Sequence, residues 1–356
     1  MHKVMINPAE YDDCFDAIER AFEIFPLAIE GRKVIVKPNV LTYSSPEEGI
    51  TTHPSILSAV IEKLEKSHAA EIVVGDNTGA RSYGDNEETF SKCGLIGAAK
   101  GYYKNIGTSA SEVTLSSRFF SKLSVSKAIL DADIYISLPK FKTHGLTIVT
   151  AAIKNNYGIL PGGQKVKGHR ITGNPLNFNE FVVDVFGLRI PDLFIVDAVV
   201  GMEGNGPASK DLRHIGKIMA SDNGVALDAT ISRMMGFDPA NLRFIQIAGE
   251  RGYGDYEEDK IEIIGEFSPI PDFKLPPSVD GAGVGRPPNH RERMERLARM
   301  RPKADATLCT ACGTCIDQCP VSALSMVDDL PIVDPDLCIT CCCCQEICPE
   351  RAIQLS

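Results

Sequence analysis

RKVIVKPNV, residues 32–40, decides how the larger part of this chain folds. A short β-branched run bounded by Pro and Asn reads as a buried strand ending in a polar loop. The same design recurs downstream in EIVVGDNTG (71–79), ADIYISLPK (132–140) and DLFIVDAVVGMEGNGP (192–207). Between the first two lies THPSILSAVIEKLEKSH (52–68), which reads as a helix. Leu57, Val60, Ile61 and Leu64 fall at i, i+3, i+4 and i+7, and Pro54 suits its first turn. IGKIMASDNGVALDATISRMMGFDP, from Ile215, adds a strand and then a helix, with Asp222 or Asn223 as cap and Gly236 just past the end. Alternating strands and helices predict an α/β domain over residues 1–266, Rossmann-like, with a mostly parallel sheet flanked by helices. Ligands of such sheets sit beyond the carboxyl ends of the strands, where the polar loops of this chain collect.

Outward from that core the character changes twice. FSPIPDFKLPPSVDGAGVGRPPNH (267–290) is rich in Pro and Gly and reads as a linker or an arm draped over a surface. RERMERLARMRPK (291–303) follows as a short basic helix, apolar at Met294, Leu297 and Met300. It reads as a solvated connector or as a basic contact to an acidic neighbour. Residues 304–356 are the third part.

That part holds ten of the chain's 12 cysteines, between Cys309 and Cys348. CTACGTCIDQCPVSAL (309–324) and CITCCCCQEICPERAI (338–353) both read C-x2-C-x2-C-x3-C-P, an internal repeat of about 29 residues. A disulfide framework would spread its bridges over the fold, whereas a tight cluster reads as metal binding. Zinc sites use C-x2–4-C pairs with a longer spacer, so two complete quartets ending in Cys-Pro favour iron–sulfur. In the bacterial two-cluster arrangement the fourth cysteine of each run ligates the other cluster. Cluster I is then Cys309, Cys312, Cys315 and Cys348, and cluster II is Cys338, Cys341, Cys344 and Cys319. This segment resembles a bacterial-type two-[4Fe–4S] ferredoxin, a small α+β domain. Cys342 and Cys343 are left over, as small loop residues or as a spare ligand or redox-sensitive thiol.

Bulk composition excludes several classes. The 356 residues carry a net charge of −10, with a sequence pI near 5.3 and mean hydropathy near zero. An acidic chain argues against nucleic acid as a partner. No apolar run approaches the roughly 18 residues of a membrane span, and MHKVMINPAEYDDCF has no signal-peptide h-region, so a cytoplasmic location is expected. Yet this acidic chain concentrates lysine and histidine in LPKFKTHGLTIVTAAIKNNYGILPGGQKVKGH (138–169), namely Lys140, Lys142, His144, Lys154, Lys165, Lys167 and His169. Such a stretch reads as an anion site or as an exposed basic loop. GGQKVKG lacks P-loop spacing, and GDNTG is not a dinucleotide fingerprint. Asp197, Glu203, Asp222 and Asp228 could bind a divalent metal or act as acid and base.

KPNV, GDN, the long 138–169 phrase and DAVVGMEGNGP together resemble the domain-of-unknown-function family DUF362, which is often fused to a ferredoxin-like module. The resemblance covers about residues 30–240. It implies an iron–sulfur protein of bacteria or archaea, often anaerobes, and recurrent polar positions at Lys37, Asn39, His53, Asp76, Lys140, Lys142, His144, Lys154, Asn155, His169, Asp197, Glu203 and Asn205. From this stretch His144, His169, Lys140 and Lys154 are the candidate catalytic residues. Lys37, Asn39, His53, Asp76, Lys142, Asn155, Asp197 and Glu203 are the candidate ligand-binding ones. The expected cofactors are two [4Fe–4S] clusters, with an anionic ligand or divalent metal in the α/β domain. The expected partner is a redox protein that gives or takes electrons. Three functions fit: an iron–sulfur oxidoreductase acting on an anionic substrate or cofactor, a non-catalytic electron carrier or assembly factor, and a non-redox isomerase or racemase with structural clusters.

Overall fold

The computed structural model describes residues 1–79, 86–279 and 290–356. The chain opens with β1 (His2–Pro8), α1 (Cys14–Ile24), β2 (Lys33–Pro38), α2 (Pro54–Lys66) and β3 (Glu71–Val74). An excursion of short pieces follows: α3 (Asn86–Lys92), α4 (Leu95–Ala98), the β4 (Ala110–Thr114) and β5 (Lys122–Ser126) hairpin, and α5 (Lys127–Leu130). The chain then returns to the sheet with β6 (Ile134–Leu138), β7 (Lys140–His144) and β8 (Ile148–Thr150). The helices α6 (Ala152–Asn155), α7 (Gly163–Thr172) and α8 (Pro175–Phe186) come next. β9 (Leu193–Met202), β10 (Leu212–Ser221), α9 (Gly224–Met234), α10 (Arg243–Glu250) and β11 (Ile261–Gly265) complete the α/β part.

The sheet order is β11-β1-β10-β9-β6-β2-β3, with β7 also on β9 and β8 on β7. β9, β6, β2 and β3 run parallel, while β10 is antiparallel to both its neighbours. In β2, Val34 and Val36 join the core under α1 and α2, and Ile35 joins the core under α8, α9 and α10. Successive side chains leave a strand on opposite faces, so a central strand covered on both sides must be apolar throughout. In α2 the four expected core positions are all buried, Pro54 stands at N1, and His53 caps the helix. Asn223, not Asp222, caps α9: its side chain accepts from Val225 and Ala226 N–H. Gly236 follows that helix with φ of 77°.

The arm after β11 lies on this core as far as residue 279. Ile270, Phe273 and Leu275 pack half-buried against it and Val279 is buried. Residues 280–289 lie outside the described residues, as does the side chain of Met294. α11 (His290–Arg299) is not a free connector: Leu297 is fully buried and Met300 nearly so, both in the main core.

The last segment holds β12 (Pro302–Ala304), α12 (Thr314–Asp317), β13 (Leu324–Val327), β14 (Leu330–Val333), α13 (Cys343–Glu346) and β15 (Ile353–Leu355). β12 pairs with β15 and β13 with β14, both antiparallel. Its own apolar core is small: Cys315, Leu324, Cys344 and Ile353. Cys342 and Leu355 belong instead to the core of the α/β part. They press against Gly145, where a Cβ would stand 3.2 Å from Cys342 Sγ and 3.3 Å from Leu355 Cδ1. Gln345 donates to Asn205 Oδ1 at 2.9 Å, and Arg351 pairs with Glu48.

Candidate functional site

The two cysteine segments fold alike. Ala311 and Gly313 in the first, and Thr340 and Cys342 in the second, all have left-handed φ, from 52° to 75°. These reversals wind the loop so that thiols three apart converge. One cavity is lined by Cys309, Cys312, Cys315 and Cys348. A second is lined by Cys319, Cys338, Cys341 and Cys344, with Cys342 beside them. Ala323 N–H donates to Cys319 Sγ at 3.2 Å, and Ala352 N–H donates to Cys348 Sγ at 3.3 Å, equivalent bonds in the two halves. No cysteine is in a disulfide. Each quartet, three thiols from one loop and a fourth from the other repeat, is a donor set that fits a [4Fe–4S] group. Among the described residues no group of three His, Cys, Asp or Glu side chains is placed to hold a single metal ion.

A third cavity, of about 200 Å³, opens at the carboxyl ends of β2 and β3. Lys37, Asn39, Asp76, Lys142, His144, Lys154, Asn155 and His169 line it, so eight of the twelve residues expected in the α/β site come together. Lys37 ends β2 and is fully buried. Its ammonium lies 2.8 Å from Asp76 and donates to Asn155 Oδ1 at 3.2 Å. Asp76 in turn accepts from Val40 N–H, which fixes the β2 loop. Lys142 donates to Ile50 O at 2.8 Å, and burial, with Lys154 nearby, pushes it down to about 7. Lys154 lies over Tyr157 and Phe178 at 4.9 and 5.6 Å and makes no hydrogen bond or ion pair with a described residue. His169 stacks on Phe178 with centroids 4.2 Å apart, and burial holds it at about 3. His144 Nδ1 accepts from Leu146 N–H at 3.0 Å, which puts the proton of the neutral ring on Nε2. Burial lowers that imidazole to about 4.

The wall opposite the strand ends comes from the cysteine segment. Glu346, Cys343 and Ile347 line the same cavity, and Gln318 reaches it from the first repeat. Glu346 Oε1 is 3.1 Å from His144 Nε2, close but not aligned as a hydrogen bond. Burial pushes its carboxyl up, yet His144, Lys154 and His169 bring it down to about 2. Sequence reasoning missed Glu346, Asn77 and Thr150. Lys165 was named in the 138–169 anion stretch but not among the candidate ligand-binding residues. It donates to the carbonyls of Asn77 and Thr78 at 2.6 and 2.5 Å.

Four expected residues stand elsewhere. Lys140 is buried 2.8 Å from Asp197 and 2.9 Å from Tyr11 Oη, outside the cavity. The His53 ring stacks on Tyr11 at 3.6 Å, and the backbone N–H of His53 donates to Asp197 Oδ2 at 2.8 Å. This cluster ties the turn between β1 and α1 to the start of α2 and to β7 and β9. A bulge between Lys140 and Lys142 lets β7 send one lysine to each place. Glu203 is taken up by Arg213 and by Lys274 N–H, and Asp228 by the N–H groups of Ala152 and Ile153. With Asp197 bound to Lys140, these carboxylates do not converge on a divalent ion. Lys167 lies over Phe120, away from the cavity.

The chain belongs to the family described as Domain of unknown function (DUF362), whose profile matches residues 34–233. Residues 301–349 match a 4Fe-4S dicluster domain, so the C-terminal segment is an iron–sulfur domain of the kind that transfers electrons. A thylakoid-associated protein of Synechocystis sp. is 32% identical over 213 residues, 60% of this chain; the match spans 65% of that relative's length. A probable ferredoxin of Methanosarcina thermophila is 50% identical over 30 residues, 8% of this chain and 52% of its own. Among solved structures, the lactate racemase apoprotein of Thermoanaerobacterium thermosaccharolyticum aligns with a TM-score of 0.40 at 14% identity, covering 65% of this chain and 56% of that one. No described helix is long and apolar enough to cross a membrane.

Proposed function

We propose that this chain is an iron–sulfur oxidoreductase whose anionic substrate or cofactor binds between the α/β part and the cysteine segment. One observation carries the reading: Cys343 and Glu346, in the second cysteine repeat, form a wall of the lysine-lined cavity. Cys341, Cys342 and Cys344, in the same run as Cys343, line the neighbouring cysteine cavity, so the two spaces share a loop. Two [4Fe–4S] groups, held by the two quartets, would supply single electrons there. The chain's own residues do the rest. Lys154 and Lys142 draw in and hold negative charge. Tyr157 and Ile347 narrow the cavity and exclude water, which strengthens those contacts. The Nε2–H of the neutral His144 ring, with Glu346 beside it, is placed to hydrogen-bond the ligand, and Lys142, which burial brings down to about 7, is the group placed to give a proton to it once reduced.

Anaerobic purification followed by EPR tests the reading. Reduced protein should show [4Fe–4S] signals that Cys309→Ser and Cys338→Ser each diminish. An anion that co-purifies, identified by mass spectrometry, should be reduced by the dithionite-treated wild type and by neither variant. Absent signals, or reduction equal in the variants, would sink it.

A further inference from the structure

The cavity's charges do not balance. Among the described residues Lys37, Lys142, Lys154 and Lys165 line it, against Asp76 and Glu346, which leaves two more basic groups than acidic ones. Lys37 and Asp76 neutralise each other. Glu346 faces His144 and is not bonded to a lysine in the described structure. An ammonium has three donors. Lys142 uses one on Ile50 O, Lys165 uses two on backbone carbonyls, and Lys154 uses none on described residues. Lys154 is half-buried and lines the cavity. Unpaired charge and unmet polar groups in a closed site cost free energy. A second observation points the same way. Thr150 Oγ1 and His144 Nε2, both able to donate, are buried without a hydrogen-bond partner among the described residues, and both residues line this cavity; the unmet amide oxygens of Asn39 and Asn77 there are acceptors and call for a donor, not for the anion itself.

We infer that the ligand of this cavity is a small dianion, a dicarboxylate or a phosphate monoester, held by Lys154, Lys142 and Lys165 with Thr150 donating to it. This deepens the anion-site reading above and rests on it. The volume of about 200 Å³ falls below the roughly 300–1,000 Å³ of sites for drug-sized molecules, which favours a small dianion. Protonation follows from the same geometry. Lys142 faces Lys154, Glu346, Lys140, Asp76 and His144, and burial lowers it to about 7. Lys165 faces Asp76, Lys37, Lys154, Glu346 and His169, and burial lowers it to about 8. Above those values the empty site holds neutral amines. A dianion raises both, so it binds with proton uptake, and affinity falls as pH climbs from 7 to 9.

The test is isothermal titration of the full, oxidised, cluster-containing chain at pH 8.5 in two low-chloride buffers of different ionisation heat. The probes are malonate, succinate and inorganic phosphate, with acetate as the monoanion. At least one dianion should bind at least tenfold tighter than acetate and take up about one to two protons. Preference for phosphate over the dicarboxylates identifies a phosphate ligand, and the reverse a dicarboxylate. Lys154→Met should weaken binding at least tenfold, as should Lys165→Gln should the first variant fold poorly, and the exposed Lys122→Met should not. If no dianion outbinds acetate, or if Lys154→Met behaves like Lys122→Met, the inference fails and the spare charge answers to the neighbouring cluster alone. No reductant is present, so the result is independent of electron transfer. Dianion binding without cluster-dependent reduction leaves this inference standing and removes the oxidoreductase. Cluster-dependent reduction of an anion, with no dianion bound more tightly than acetate, does the opposite.

Discussion

Cys342 shows how one position can be misjudged from its residue type. Four consecutive cysteines invite a chemical role for each, but Cys342 stands where the first repeat has Gly313. Both have left-handed φ, 62° and 75°. A side chain there costs about 1–2 kcal/mol, and burial of the thiol against Gly145 offsets part of it. Cys342→Gly is therefore expected to stay within about 1 kcal/mol of wild type in urea melts, with EPR unchanged. Cys342→Val should cost about 2 kcal/mol or more, through β-branching and overpacking. Lys142 belongs to the same scale. Its folded value, about 7, lies below the unfolded lysine value. Between the two, the unfolded state binds more protons, so this group makes stability rise with pH from about 7 toward 10, by up to about 1.4 kcal/mol per unit. The stability advantage of Lys142→Met over wild type, measured from urea midpoints without ligand, should be largest near pH 6 and shrink toward pH 10. A constant difference would remove the buried charge as its cause.

At the scale of elements, caps and periodicity do most of the work. Asn223 accepts from two N–H groups of α9 and donates to Tyr253 O at 2.9 Å. Asn223→Ala is expected to cost about 1–2 kcal/mol, and Asn223→Asp less, because the acceptor is kept. α2 was legible for the same reason, since its apolar positions repeat at the helical period and Pro54 marks its start. α11 was misread. Its basic residues suggested a solvated connector, but Leu297 and Met300 together bury a stripe in the main core. A short helix with few apolar residues gives little periodic signal, and what it packs against lies more than a hundred residues away. β7 misled in another way. Lys140 and Lys142 look equivalent in LPKFKTHG, two residues apart on one strand. The bulge between them sends Lys140 to Asp197 and Lys142 to the cavity, and a register shift leaves no mark in residue types.

At the scale of the molecule, the site exists only because the cysteine segment docks. Gly145 permits that contact, as its missing side chain leaves room for Cys342 and Leu355. Gly145→Val should push the segment away. Cluster content by EPR should stay unchanged, because the eight thiols hold their own fold, while binding in the lysine cavity weakens at least tenfold. Equal binding in the variant would mean that Glu346 and Cys343 are bystanders. Sequence alone determined the parallel α/β architecture, the family, the iron–sulfur character of the last fifty residues and most of the cavity's lysines. The architecture and the cluster ligands follow from local periods and spacings, which neighbouring residues impose on one another, and the family from whole phrases that resemble it. Only the tertiary structure decided that His53, Lys140 and Asp197 brace the fold, and that Glu346 and Cys343 close the site. Both outcomes depend on which faces meet across some two hundred residues of chain, and packing and register set that, not composition.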